Sequence, residues 1–129
     1  MTEQTQATAL PPRHPLPSRR LSETRKVETA EGTTVYLTIG YDPATPSQPR
    51  EVFYSSGFRT GSQLEFQVQD ITVLLSLMLQ HGFTPAQLVK SLSTQEQPDR
   101  SMAFGSLTGL IAHELTLPPA WAEAAAVDA

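Results

Sequence analysis

The sequence predicts an α+β fold: a three-stranded antiparallel sheet packed by one long and two shorter helices. Two observations carry this. Val35, Leu37, Ile39 and Tyr41 alternate with Thr34, Tyr36, Thr38 and Gly40, the period of two that turns one face of a strand to a core. Leu64, Val68, Ile71, Leu75 and Met78 then recur at helical spacing, so the period switches near Gly61.

Taken in order, Thr24 to Thr29 is a candidate first strand, followed by a turn at Glu31-Gly32. Thr33 to Tyr41 is the clearest strand, rich in β-branched and aromatic residues that suit a pleated surface. Pro43, Pro46 and Pro49 make residues 42–49 a loop. Arg50 to Ser56 resumes strand character, and short links between the three imply an antiparallel meander. Ser62 and Glu65 then form a capping box, in which the hydroxyl accepts from the N3 amide and the carboxylate reaches back.

The helix from Ser62 runs to His81, and Gly82 supplies its stop. Val73, Leu74, Leu77 and Leu79 widen its apolar face, so something besides the sheet is expected to cover it. Thr84 as N-cap, Pro85 at N1 and Gln87 at N3 open a short second helix, with Leu88, Val89 and Leu92 inward. Residues 93–100 read as a polar loop. Asp99 or Ser101 then caps a third helix to about Leu115, with Phe104, Leu107, Leu110, Ile111 and Leu115 facing inward. Gly105 and Gly109 weaken that helix by about 1 kcal/mol each relative to alanine, while their spacing permits close approach of a neighbouring element.

The organisation expected is a disordered Pro/Arg-rich arm over 1–22, an α+β domain over 23–116 and a mobile Ala-rich tail over 117–129, with Trp121 as a candidate anchor. Pro11, Pro12, Pro15 and Pro17 block regular structure in the arm. A chain of 129 residues supports one modest core. The net charge of -4 gives no global attraction to nucleic acid or an anionic membrane. The first 26 residues nevertheless carry five basic against two acidic residues, and the rest carries four against eleven. Such an arm can dock on its own body, on a partner or on nucleic acid; a solvated tail is the plain reading.

No cysteine is present, which excludes disulfides, thiolate metal sites and cysteine-based radical chemistry. The longest apolar run, interrupted by Ser76, is too short to span a bilayer, and the first residues lack the apolar stretch of a secretory signal. A cytoplasmic protein without membrane contact is the expectation.

Among candidate chemistry, Arg59, Thr60, Gly61 and Ser62 stand out. They place a guanidinium, a glycine turn and a hydroxyl at a helix start, where free amides and the helix dipole favour a phosphate or carboxylate. The plain alternative, which the sequence favours, is that Ser62 only caps the helix and Arg59 is solvated. No P-loop or dinucleotide glycine pattern is present. His14, His81 and His113 have no second ligand at zinc spacing, so no metal is expected. His81 suits the last turn of its helix. Asp70 marks a polar edge, and with no base or second carboxylate indicated, no catalytic residue is nominated. Phe53, Tyr54 and Phe58 could stack on a base, although core packing is the usual fate of such side chains.

From Leu21 to about Leu115 the chain resembles the TSCPD domain. This module stands at the C-terminus of many adenosylcobalamin-dependent class II ribonucleotide reductases and also occurs alone. The strand Thr33 to Gly40, the segment Arg50 to Phe53, the run from Gly57 through Arg59 and Gly61 to Ser62, the helix Asp70 to Gly82 and the short helix Pro85 to Leu92 carry the likeness. The stretch Leu74 to Gly82 (LLSLMLQHG) is its most specific part. The Thr-Ser-Cys-Pro-Asp string that names the domain is missing. Ribonucleotide reduction needs a thiyl radical, a cysteine pair and a large barrel, so the resemblance implies a detached module rather than a reductase. It implies a noncatalytic, cofactor-free accessory or binding role through protein contacts, as a homodimer or on a larger protein, with a nucleotide or phosphate ligand as a sensing version. The rivals are a nucleic-acid-binding protein using the basic arm and an inhibitory or structural protein docking through an apolar patch.

Overall fold

A computed structural model describes residues 10–122. Strands β1 (Leu21–Glu28), β2 (Thr34–Tyr41) and β3 (Pro49–Ser56) form an antiparallel meander in the order β1-β2-β3. Helix α1 (Gln63–Gln80) covers one face, followed by the short α2 (Pro85–Val89). A small hairpin of β4 (Thr94–Glu96) and β5 (Met102–Phe104) precedes α3 (Leu107–Thr116). The α+β architecture is the one the two sequence periods predict.

The period-two reading of β2 holds residue by residue. Val35, Leu37, Ile39 and Tyr41 are all buried, and with Val27 and Val52 they meet Val68, Leu75 and Leu79 of α1. Ile111, Ala112 and Leu115 of α3 and Leu88 of α2 close the same core. The opposite sheet face is polar at its centre, where Thr24, Thr38 and Ser55 form a row of hydroxyl hydrogen bonds at 3.0 and 3.1 Å. Gly40 lies on that face. A Cβ there would stand 2.4 Å from Glu51 Oε1, so only glycine leaves room for the Glu51 side chain to lie across β2.

Strand β3 has a free edge, and α1 satisfies it. Ser76 Oγ accepts from Val52 N–H at 2.9 Å and donates to Val52 O at 3.1 Å, while Gln80 Nε2 donates to Arg50 O at 3.2 Å. Two polar side chains of an otherwise apolar helix thus replace a missing strand and block edge-to-edge pairing there. That accounts for Ser76 interrupting the apolar run.

Three expectations are corrected. The segment expected as a free arm has no helix or strand over residues 10–20, as its prolines require, yet it lies on the body. His14 N–H donates to Gln80 O at 2.6 Å, Arg13 Nε to Gln80 Oε1 at 2.5 Å, and Pro11 O lies 2.9 Å from His81 Nδ1. Second, residues 94–104 are a hairpin rather than a loop running into a helix. Its strands are short and largely exposed, with Arg100 in the left-handed region at φ 69°. Third, α3 starts later than expected: Ser106, not Asp99 or Ser101, is the N-cap and accepts from Gly109 N–H. Phe104 therefore sits on β5, and its ring lies against Gly109, where a Cβ would come within 2.8 Å. Gly105 lies outside the helix, so the Gly105/Gly109 spacing makes no shared face there, and only Gly109 is in close contact, with the Phe104 side chain.

At the other end, Pro119 is fully buried, and Trp121 meets Tyr41 edge-on at 5.0 Å while donating to Pro46 O at 2.7 Å. Trp121 is the anchor its position suggests. The expected arm before residue 10 and tail after residue 122 fall outside the described residues.

Candidate functional site

Helix α1 carries the predicted anion site at its start and the exposed apolar side described below. Ser62 caps it, accepting from Glu65 N–H at 3.2 Å. Glu65 Oε1 reaches back to Gly61 N–H at 2.9 Å, one residue beyond the partner a capping box would use, because Ser62 N–H is taken by Arg59 O. Gly61, at φ 78°, makes the corner.

The four predicted ligand residues therefore do come together at the helix start. Arg59, Thr60 and Gly61 are exposed and Ser62 is half-buried. The geometry there is that of a cap: a resident carboxylate, Glu65, already holds the Gly61 amide that an incoming anion would use. Asp70 is exposed on the same helix. Tyr54 and Phe58 pack on the core and on each other, with rings 6.0 Å apart, while Phe53 is 49 % exposed on the outer sheet face.

The larger feature is the side of α1 turned away from the sheet. Leu64, Phe66, Val73, Leu74, Leu77 and Met78 are all exposed, Val73 and Leu74 by 57 % and 60 %. A helix that is apolar on both its inner and outer sides is the mark of one covered twice. The described residues cover the inner side only. Between α1, β3 and residues 13–20 runs a groove of about 560 Å3, walled by Phe53, Val73, Leu77 and Leu16 and edged by Arg13 and Arg20. Sequence reasoning missed this groove, since its second wall is the segment read as a free arm.

Most of the basic excess near the N-terminus is spent inside the molecule. Arg20 Nη1 spans both oxygens of buried Glu51 at 2.8 and 2.7 Å. Arg25, on the inner face of β1, donates to Glu23 Oε1 at 2.6 Å, Glu114 O at 2.6 Å, Leu117 O at 3.0 Å and Tyr41 Oη at 3.2 Å. It thereby ties the end of α3 to the sheet, and Glu23 Oε2 accepts from Ala120 N–H at 2.8 Å. This clamp has no signature in local sequence, because its partners lie up to 92 positions apart.

Three carboxylates, Glu23, Asp42 and Asp99, are held below their ordinary range, Asp99 by its hydrogen bonds from Ser101. Burial pushes the Glu23 carboxyl up, but the Ala120 amide and Arg25 outweigh it and the net shift is downward. The Ala44 amide lowers the Asp42 carboxyl, and the hydrogen bond from His14 at 2.8 Å lowers it further. Each group's folded-state pKa is depressed, so its stabilisation is present above the unfolded value, near pH 4, and is lost as pH falls through the lower folded value. Urea midpoints should therefore be flat from pH 7 to about 5 and fall below about 4. Glu23→Gln should flatten part of that fall.

Among the described residues no helix is long and apolar enough to cross a membrane, and no three His, Asp or Glu side chains are grouped to hold a metal ion. What the fold and this site define is a small α+β module whose principal helix keeps an uncovered apolar side. The chain belongs to the TSCPD domain family: the family's sequence model matches residues 8–117. It is thus a domain of a kind related to ribonucleotide reductase. The match begins inside the segment read as an arm, of which residues 10–20 pack on the body. No curated protein and no solved structure matches the chain.

Proposed function

We propose that this chain is a noncatalytic, reductase-related accessory module that works through protein contacts, and that the outer side of α1 is its contact surface, paired with a second copy of the chain. The observation that carries the reading is the uncovered side of α1, with six large apolar side chains on an 18-residue helix. Two arguments favour a second copy. The first is symmetry. Leu64 and Met78 stand on one stripe of the helix, seven residues on either side of Ile71, with Leu74 between them on the same stripe. An antiparallel two-fold crossing level with Ile71 lays Leu64 of each copy on Met78 of the other, the self-complementarity an isologous interface requires. The second is area. The exposed parts of the six side chains amount to roughly 500 Å2 per copy, hence about 1,000 Å2 for a pair, the lower bound for a specific interface.

The absence of cysteine from the chain supports a role without thiyl chemistry of its own. The nucleic-acid reading is weakened by the internal use of Arg13, Arg20 and Arg25. Light scattering on the purified protein tests the proposal. At micromolar concentration the mass should be twice that of one chain, and a monomer at 100 μM would remove the self-pairing. Calorimetry with a nucleotide panel separates the sensing version: heat that disappears in Arg59→Ala would place function at the helix start instead.

A further inference from the structure

We propose that a second cleft, separate from the exposed apolar side of α1, binds a small monocarboxylate through Arg50. The cleft lies where the loop before β3, the α1–α2 corner and the end of α3 meet, and encloses about 390 Å3. That is within the range of small-molecule sites. Its walls are largely apolar, with Phe83, Pro85, Ala86, Leu115 and Leu117 around a single cation, Arg50.

The state of that guanidinium points to a ligand. Nη2 donates to Gln48 Oε1 at 2.8 Å and to Thr45 Oγ1 at 3.4 Å, which fixes the plane of the group. Nε is buried and has no hydrogen-bond partner, alone among the described side-chain atoms. No carboxylate of the described residues lies within ion-pair distance of Arg50, whereas the other half-buried arginine, Arg25, has two. Asp42 feels the charge of Arg50, but the Ala44 amide and His14 already occupy that carboxylate. A buried N–H left unpaired costs about 1–3 kcal/mol, and a cation lining an apolar cleft without a counter-ion costs more. One carboxylate supplies the missing charge and an acceptor for the part of the guanidinium that Gln48 and Thr45 leave open. One cation balances one charge, which selects a monocarboxylate with an apolar body over a phosphate ester. Neither the orphaned Nε nor the cleft touches the α1 surface, so this site stands or falls independently of the self-pairing.

The test is calorimetry and methyl NMR on the full chain with hexanoate and benzoate, each against its uncharged amide. Carboxylates should bind at least tenfold more tightly than their amides and shift the Leu115 and Leu117 methyl signals. Arg50→Met should lower carboxylate affinity at least tenfold. If that variant does not fold, Ala86→Trp, which fills the cleft from an exposed position on α2, should abolish binding with Arg50 intact. Equal binding of acid and amide, undiminished binding by Ala86→Trp, or no carboxylate binding at millimolar concentration would overturn the assignment.

Discussion

Glutamate at Val73 and Leu74 together is expected to convert a dimer to a monomer while leaving the fold intact. Both side chains are more than half exposed on the single chain, so the substitution removes little from the core. In the pair it would bring four carboxylates to the middle of an apolar contact, where each desolvated charge costs several kcal/mol. The expected loss is at least 100-fold in dimer affinity, about 3 kcal/mol or more, measured by sedimentation, with the far-ultraviolet circular dichroism unchanged. Asp70 sharpens the prediction. It stands beside the crossing point with no basic residue on α1 to offset it, so two copies bring two like charges near each other. Asp70→Asn should tighten the dimer several-fold, an effect greatest at low salt.

The second large effect is expected at the clamp. Arg25→Met keeps the bulk of the side-chain stem but removes its hydrogen bonds to Glu23, Tyr41, Glu114 and Leu117. It leaves Glu23, whose side chain is 19 % exposed, without its cation. Breaking a largely buried pair by deleting one partner costs about 3 kcal/mol, and a domain of this size should then melt about 10 °C lower. The loss should be local in origin. Trp121 fluorescence, which reports the segment docked on Tyr41, should change below the main transition, since the carbonyls of Glu114 and Leu117 lose their donor. An unchanged melting temperature would mean that Pro119, Trp121 and the Ala120–Glu23 hydrogen bond hold the segment after α3 without Arg25.

What could be read from the chain follows from where the information lies. The inner face of β2, the two capped helix starts and the glycine stop at Gly82 are local patterns, and each appears in the structure at the predicted residues, although the second helix ends at Val89 rather than Leu92. The breadth of the apolar face on α1 was equally legible, since periodicity counts side chains whether or not anything covers them. The β4–β5 hairpin was not. Its six strand residues include no alternating apolar set, and its turn depends on Arg100 adopting a left-handed backbone, which composition does not announce. The docking of residues 10–20 escaped for a different reason. Prolines exclude helix and sheet but say nothing about a chain laid in extended form against a body that offers Gln80, Glu51 and Asp42 as partners. Arg59 to Ser62 came together as read, and only the coordinates show that Glu65 occupies the amide an anion would need. Arg50 gave no sequence signal, because its importance rests on what is missing around it.

The pairing of α1 with a second α1 can be tested by disulfide trapping, for which a cysteine-free chain is the ideal background. Leu64 and Met78 are about 21 Å apart along one helix at 1.5 Å per residue, too far to join within a chain. The antiparallel crossing places each over the other's counterpart. The double variant Leu64→Cys/Met78→Cys should therefore give a covalent dimer on mild oxidation, and either single variant should give little. Single variants that cross-link as readily as the double one, or a double variant that stays monomeric, would contradict the account.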